Sequence, residues 1–225
     1  MILALETSTK NCSVALIEGA EIKALKEAHS DQYIHSEKLH LFIEEALNQA
    51  GCKPSDLEAI AVGAGPGSYT GLRIGVTSAK ALAYSLQIPL IGARGPELLV
   101  AEAIKQFEFP EQAILHPMID ARRMEVYTAD YNVLAIPSRE IEARIIDEDS
   151  YSEPGEHFFF GDGAPKFKSV LNGPQHHFLD LELPSAAHFC HLLNAKMTNK
   201  EFEDVAYFEP FYLKEFQAIK PKSVF

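Results

Sequence analysis

Apolar and polar positions alternate most clearly in the first hundred residues. Three short runs rich in β-forming residues, 2–6, 12–18 and 21–29, are separated by turn residues and predict an antiparallel three-stranded meander. From residue 36 the apolar positions recur at helical spacing, and Gly51 is placed to end that helix. The chain therefore opens with three strands followed by an amphipathic helix over 36–50.

Strand and helix patterns then alternate as far as residue 107. The sequence predicts a strand over 59–63, a glycine-rich loop over 63–71, a helix over 72–86, a strand over 88–92 and a helix over 96–107. A meander followed by right-handed strand–helix crossovers forms a mixed sheet with helices on both faces. We therefore predict an α/β unit with the order βββαβαβα, the ribonuclease H-like layout.

The second half repeats the opening pattern less cleanly. Residues 113–120 and 124–131 predict a hairpin, 157–160 predicts a further strand, and 184–197 fits a helix with proline in its first turn. The stretch 138–156 is strongly acidic and poor in aromatic residues, which indicates a solvated insertion. A meander near the start of each half indicates a duplicated fold.

These patterns predict two lobes. The first lobe covers residues 1–107 and is rejoined by 205–225, and the second covers 108–204 and is a reduced version of the first. The chain has 225 residues, of which 47% are hydrophobic and 23% charged, so disorder and a fibrous architecture are excluded.

The charge balance argues against an unaided role in nucleic-acid binding. Twenty basic and 32 acidic residues give a formal charge of −12, and nine of these excess negative charges lie in 101–225. A phosphate backbone would be repelled by this field. Three cysteines without a CxxC pair argue against disulfides and a thiolate zinc site, and no apolar stretch is long enough for a membrane span. We expect a cytoplasmic protein without a secretory signal or membrane contact.

The glycine-rich loop carries the strongest local signal. Four glycines between 63 and 71 leave a strand and enter a helix, which is the context of an anion-binding helix N-terminus. The loop has no Gly-Lys-Ser/Thr ending, and Pro66 removes a backbone donor that a dinucleotide fingerprint would use. Spacing alone leaves a purely structural loop as an equal alternative.

Four segments together resemble the TsaB (YeaZ) family. They are Ile2–Ser8, His35–Leu39, Gly65–Gly75 and Asp120–Tyr127, and the resemblance is densest over residues 1–92. It implies a two-lobed fold of the actin, sugar kinase and Hsp70 type. Tyr69 stands where the family commonly has phenylalanine, and its extra hydroxyl is expected to be tolerated.

The resemblance also implies a role in making threonylcarbamoyladenosine at position 37 of tRNA. In that family the chain is a non-catalytic partner of a paralogous transferase, TsaD, which moves the threonylcarbamoyl group from threonylcarbamoyl-AMP to N6 of adenosine. An ATPase, TsaE, joins the pair. The implied partners are TsaD in a heterodimer, TsaE, a second copy of the chain when it is alone, and tRNA only through the complex.

Inspection of the residues favours a chain with no catalytic residue. The turn 6–10 lacks the glycine that lets backbone approach phosphate, and the turn 120–124 inserts two arginines that would fill phosphate space. His188 and His191 lie three apart, but no carboxylate lies at helical spacing to complete a metal site. We therefore expect no metal and no cofactor of the chain's own.

Two other functions remain open at this stage. One is a small-molecule kinase or metal-dependent hydrolase of the same fold. The other is an adaptor that shares ATP or ADP with a partner at the interface of the assembled complex. The residues expected near such a nucleotide are Glu6, Thr7, Ser8, Arg122, Gly161, Asp162 and Gly163.

The helices over 36–50 and 72–86 carry the expected partner-binding face. Small side chains along the second helix permit close approach by another helix, although internal packing is the alternative. Family resemblance favours pairing, so arginine at position 75 or 79 is expected to block it while leaving the fold intact. The expected contact residues are Leu39, Phe42, Ile43, Ala46, Ser68, Tyr69, Thr70, Leu72, Gly75, Ser78, Ala79 and Leu82.

Overall fold

The first sheet contains five strands in the order β3-β2-β1-β4-β5. The computed structural model of the protein describes residues 1–30 and 34–214. Strands β1 to β3 form the predicted antiparallel meander, and β1, β4 and β5 run parallel. The strands are β1 (Ile2–Glu6), β2 (Asn11–Glu18), β3 (Glu21–His29), β4 (Ala59–Gly63) and β5 (Leu90–Ala93).

Both faces of this sheet are covered, which explains why its central strands are almost entirely apolar. Helices α1 (His35–Ala50) and α2 (Tyr69–Leu86) pack on the face that carries Leu3, Leu5 and Val62. Helix α3 (Gly95–Gln106) contributes Leu98 to the opposite face. The predicted mixed sheet with helices on both sides is confirmed.

The second sheet repeats the topology of the first. Its order is β10-β9-β6-β7-β8, with β6, β7 and β8 antiparallel and β6, β9 and β10 parallel. The first strand of each meander is therefore the central strand of its sheet, as a duplicated fold requires. The strands are β6 (Ile114–Asp120), β7 (Glu125–Thr128), β8 (Glu142–Ile145), β9 (His157–Phe160) and β10 (His176–Phe178).

Two parts of the second lobe differ from the sequence prediction. The acidic stretch 138–156 is not a simple solvated insertion, because it contains β8 and buries Ile146 and Tyr151 in the core. These apolar anchors hold a segment in which most of the other side chains are exposed. The short strand β10, which begins at His176, was also not predicted.

The expected helix over 184–197 is divided into a 3-10 helix, Ala186–His191, and α4, Leu193–Asn199. These residues lie within the predicted second lobe, but Ala186, Phe189 and Leu193 pack against the first sheet. The Ala186 amide donates to Ser13 Oγ at 2.8 Å, which ties this helix to β2. Packing across the two lobes explains why a local pattern did not reveal the boundary.

Residues 203–211 lie beside the first lobe. The Glu203 amide donates to the Leu90 carbonyl at 2.8 Å, and the Phe211 amide donates to the Ala64 carbonyl at 2.8 Å. The remainder of the predicted rejoining segment, residues 215–225, lies outside the described residues. Among the helices of the described chain, none has the length and hydropathy needed to cross a membrane.

We predict that Gly75→Ala destabilises the protein. A Cβ atom at Gly75 would lie 2.2 Å from Thr7 Oγ1, and Thr7 cannot move away without losing its 2.8 Å hydrogen bond to the Gly71 carbonyl. Overpacking of this kind costs about 2 kcal/mol in the free energy of unfolding. Urea denaturation measures the change, and Thr77→Ala on the exposed side of α2 is the control. Equal stability of the Gly75→Ala variant and the unmodified protein would contradict the prediction.

Candidate functional site

The first of the residues expected near a nucleotide lies at the end of β1. Glu6 is fully buried, and its Oε1 accepts a hydrogen bond from the Ser8 amide at 2.5 Å. Burial raises the pKa of Glu6, although hydrogen bonds from Ser8 and Thr7 oppose the shift. A Cβ atom at Gly63 would lie 1.8 Å from Glu6 Oε2, so the carboxyl group packs against the backbone of β4. This side chain is enclosed by the protein rather than presented to a ligand.

The glycine-rich loop packs directly on the turn that follows β1. The Ser68 amide donates to the Ser8 carbonyl at 2.6 Å, and a Cβ atom at Gly67 would lie 2.1 Å from that same oxygen. A Cβ atom at Gly71 would lie 2.1 Å from the Thr7 carbonyl oxygen. The glycines therefore admit the chain's own backbone, which favours the structural alternative for this loop.

The second-lobe turn between β6 and β7 carries two consecutive arginines. Arg122 and Arg123 have φ values of 68° and 53°, a left-handed conformation that is uncommon for residues other than glycine. Both side chains are exposed, so they do not fill an enclosed phosphate space as the sequence suggested. The Asp120 carboxylate accepts hydrogen bonds from the Arg122 amide at 3.2 Å and from Lys166 Nζ at 2.5 Å.

Asp162 links this turn to the strand-end turn 161–163. Its Oδ1 accepts a hydrogen bond from the Asp120 amide at 2.8 Å. Burial and the neighbouring Asp120 charge raise the pKa of Asp162 to about 6, against the opposing effect of Lys166 and Lys10. Lys10 belongs to the first lobe, so the structure brings the turns of both lobes together around Asp162.

Gly161 and Gly163 serve backbone packing at this turn. Gly161 has a φ of 103°, and a Cβ atom there would lie 2.2 Å from the Met118 carbonyl oxygen. The Gly163 amide donates to the same carbonyl at 2.9 Å. Of the residues expected near a nucleotide, the structure joins Asp162 and Arg122 through Asp120, whereas Glu6 is enclosed within the first lobe.

The histidines of the 3-10 helix have partners that the sequence analysis missed. His191 Nε2 lies 2.9 Å from Glu102 Oε2, a carboxylate supplied by α3 rather than by the same helix. His188 Nδ1 accepts a hydrogen bond from the Ser185 amide at 3.3 Å. Within residues 1–30 and 34–214, no group of three or more His, Cys, Asp or Glu side chains is arranged to hold a metal ion.

The expected partner-binding residues divide into two sets. The larger set is buried within the chain itself, largely in the core beneath α1 and α2, so these side chains are not available to a partner in this fold. Its members are Leu39, Ile43, Ala46, Leu72, Gly75, Ser78 and Ala79. Arginine at position 75 or 79 would therefore disrupt the fold, and our expectation that it would leave the fold intact is wrong.

The other set is partly or fully exposed and consists of Phe42, Ser68, Tyr69, Thr70 and Leu82. Tyr69 packs between Arg73, whose guanidinium carbon lies 4.4 Å from the ring centroid, and Tyr212, whose ring centroid is 4.8 Å away. The C-terminal part of the described chain therefore lies beside the start of α2.

Larger apolar groups lie on the outer side of the two helices. Leu41 of α1 is 50% exposed and Tyr84 of α2 is 77% exposed. Tyr84 was not among the expected contact residues, because it lies outside the small-residue stripe on which that prediction depended. Its helical spacing from the exposed Thr77 and Ala81 is the signal that could have identified it.

Two mixed sheets of the same topology, joined through α3, define a two-lobed α/β protein of the actin-like class. Residues 31–207 match the sequence model of the family described as TsaD: tRNA N6-adenosine threonylcarbamoyltransferase. The structure of YeaZ from Pseudomonas aeruginosa is similar with a TM-score of 0.77 and 27% identity, covering 94% of this chain and 99% of that one. A second Pseudomonas aeruginosa structure, of an uncharacterized protein with similarity to peptidase YeaZ, has a TM-score of 0.79 and 26% identity, covering 95% and 99%.

Curated relatives point to the same family. The tRNA threonylcarbamoyladenosine biosynthesis protein TsaB of Bacillus subtilis is 38% identical over 58% of this chain and 54% of its own length. TsaB of Escherichia coli is 35% identical over 58% of this chain and 54% of its own length. The match spans about half the length of these relatives. The chain belongs to the TsaB (YeaZ) family, within the wider group that the TsaD sequence model describes.

We predict that Asp162→Asn changes how stability depends on pH. The folded state raises the pKa of Asp162 to about 6, so the protonated carboxyl group stabilises the folded protein. This contribution to the free energy of unfolding is complete below the unfolded-state pKa and is lost as pH rises through 6. Asparagine keeps an oxygen for the Asp120 amide but does not titrate. As pH rises from 5 to 8, the free energy of unfolding of the variant should increase by on the order of 1 kcal/mol relative to that of the unmodified protein.

Urea denaturation across that pH range measures this difference. Asp149→Asn, at an exposed carboxylate, is the control. Parallel pH profiles for the Asp162→Asn variant and the unmodified protein would contradict the assignment.

Proposed function

We propose that the chain is a non-catalytic subunit required for threonylcarbamoyladenosine modification of adenosine 37 in tRNA. It would dimerise with a TsaD-type transferase and activate that enzyme, which moves threonylcarbamoyl from threonylcarbamoyl-AMP to N6 of the adenosine. The observation that carries the proposal is membership of the TsaB (YeaZ) family, whose curated relatives are named as tRNA threonylcarbamoyladenosine biosynthesis proteins.

The outer surface of α1 and α2 is the proposed docking face. Leu41 and Tyr84 are large apolar groups that the chain's own core leaves uncovered, and Tyr69 and Arg73 stand at one end of the same helix pair. Tyrosine and arginine are enriched among the residues that dominate binding energies at protein interfaces. The match to a transferase sequence model supports a paralogous partner, since the two chains would present related surfaces.

Three features support the absence of chemistry in this chain. The Glu6 carboxyl is enclosed against β4, the backbone of the glycine-rich loop is packed against residues 7–8, and the second-lobe turn lacks glycine. A phosphate group needs exposed backbone amides or cations at the end of a strand. The exposed cations at these turns are Lys10 in the first lobe and Arg122 and Arg123 in the second.

The wider assembly follows from the same proposal. The isolated chain would form a homodimer through the α1–α2 face and exchange it for the heterodimer, and a TsaE-type ATPase would join the pair. The protein would act in the cytoplasm. The charge of −12 is consistent with a subunit that reaches tRNA only through the complex. Any ATP or ADP would be shared at an interface with a partner.

We predict that Leu41→Ala and Tyr84→Ala weaken transferase binding without altering the fold. Each side chain is at least half exposed, so its removal leaves the core intact, whereas loss of an interface anchor typically weakens affinity about tenfold or more. Calorimetric titration of each variant into a TsaD-type transferase measures the dissociation constant.

Leu134→Ala is the matched control, because Leu134 is 74% exposed on the second lobe. Affinities equal to that of the control would refute the docking face. The proposed function itself is tested by reconstituting tRNA modification with and without this protein. We expect modification of adenosine 37 only when the protein is present.

We also predict negligible ATP hydrolysis by the isolated chain. The glycine-rich loop packs against residues 7–8, and the second-lobe turn has no glycine that would let its backbone approach a phosphate group. Phosphate release is measured with purified protein and magnesium, with Glu6→Ala as the paired variant. Turnover that survives purification and disappears in Glu6→Ala would instead establish an enzyme.

A further inference from the structure

A continuous chain of hydrogen bonds is buried in the second lobe. His116 Nδ1 lies 2.8 Å from Asp130 Oδ1, His116 Nε2 lies 2.9 Å from His157 Nδ1, and His157 Nε2 lies 2.9 Å from the Glu153 carbonyl oxygen. The two histidines belong to the neighbouring strands β6 and β9, and each is only 1% exposed. This hydrogen-bond network therefore runs from a carboxylate, through two imidazoles, to a backbone carbonyl.

The three hydrogen bonds of this network need more protons than two neutral imidazoles carry. The Glu153 carbonyl can only accept, so His157 Nε2 must carry a proton, and the ionised Asp130 carboxylate likewise needs a proton on His116 Nδ1. The contact between the two rings needs one more. Three hydrogen bonds therefore need three protons, whereas two neutral imidazoles supply two. The count is unchanged if the proton nearest Asp130 sits on its carboxyl group.

The ring geometry agrees with a true hydrogen bond between the imidazoles. The two rings are inclined by only 16°, and their centroids are 5.2 Å apart, as expected for rings that meet nitrogen to nitrogen in nearly one plane. Without a proton, two nitrogen lone pairs would face each other at 2.9 Å in a buried site. Such an unmade buried bond costs about 1–3 kcal/mol, and this cost favours a protonated pair.

The surrounding charges come from every element packed against the pair. Arg139 Nε lies 3.0 Å from Asp130 Oδ2, and the Arg144 guanidinium lies over the Tyr151 ring at 4.5 Å. His176 of β10 faces His157 edge-on at a centroid distance of 5.8 Å.

These groups act on His116 in opposite directions. Burial lowers the pKa of His116, while Asp130 acts to raise it and Arg144 to lower it further. Burial alone would raise the pKa of Asp130. The hydrogen bond and charge interaction with His116, together with the charges of Arg139 and Arg144, outweigh burial, so the pKa of Asp130 is lowered.

We propose that His116 and His157 share a third proton, and that this proton latches the acidic segment 138–156 onto the second sheet. The segment contributes Arg139, Tyr151 and the Glu153 carbonyl to the network, so the proton links it to β6 and β9. Loss of the proton breaks one of the three bonds. The latch therefore holds while the proton is bound and loosens as pH rises, because loss of the proton leaves two nitrogen lone pairs facing each other.

The latch also fixes the wall of a surface cavity. Residues 152–156, which include the carbonyl at the end of the network, line a cavity of about 600 Å³ together with Glu111, Gln112 and Gln175. Release of this segment would change the shape of that cavity.

Ring 15N chemical shifts of histidine-labelled full-length protein test the shared proton directly, because they distinguish protonated from unprotonated ring nitrogens. The signals are assigned with His116→Gln and His157→Gln variants. The expected result is three protonated nitrogens on the pair at pH 5.5, falling to two by pH 8. Two protonated nitrogens throughout this range would overturn the proposal.

Amide hydrogen exchange tests the latch. After correction for intrinsic rates, residues 147–156 should exchange at least tenfold more slowly at pH 5.5 than at pH 8, and Asp130→Asn should abolish this difference. His177→Gln is the matched control, because it removes an exposed histidine–carboxylate pair with Glu156 at 2.5 Å in the same region. Persistence of the difference in a folded Asp130→Asn variant would overturn the latch. If that variant does not fold, the 15N measurement on the unmodified chain decides.

Discussion

The contact between the end of β1 and the start of α2 is the constraint on which the first lobe depends. The turn at Thr7 and Ser8 accepts the Ser68 amide, and Thr7 Oγ1 donates to the Gly71 carbonyl. Only glycine at 67, 71 and 75 leaves room for this approach. The same contact directs α2 across the sheet beside α1. Loop, helix direction and the proposed docking face are therefore consequences of one close backbone packing.

That packing favours a structural role for a loop that resembles an anion-binding element. Glycines near a helix N-terminus can admit either a phosphate or another stretch of main chain. Here the backbone of residues 7–8 occupies the space beside Gly67 and Gly71, and the neighbouring Glu6 is a buried carboxyl group rather than a cation. The proposed docking face lies instead on the exposed side of α1 and α2, and the turns of the two lobes meet at the Asp162 network.

The second lobe shows how far sequence patterns extend. Its central hairpin and β9 were predicted from the sequence, but β8 was not, because acids around Ile146 and Tyr151 obscure two buried anchors. The partner of His191 was also missed, since Glu102 lies 89 residues away in sequence. Helix spacing was correct for α1 and α2, yet the small-residue stripe belongs to the core and not to the surface.

The sequence by itself determined the order of strands and helices in the first lobe, the duplicated meander, the family and the acidic balance, because each depends on local periodicity, motif order or simple counts. Tertiary structure decided which helix face is exposed, that residues 186–199 cross to the first sheet, and that His116, His157 and Asp130 meet in one buried network. These features depend on strands and helices far apart in sequence approaching within hydrogen-bond distance. No local pattern records such an approach, because the free energy that fixes it comes from packing of the whole fold.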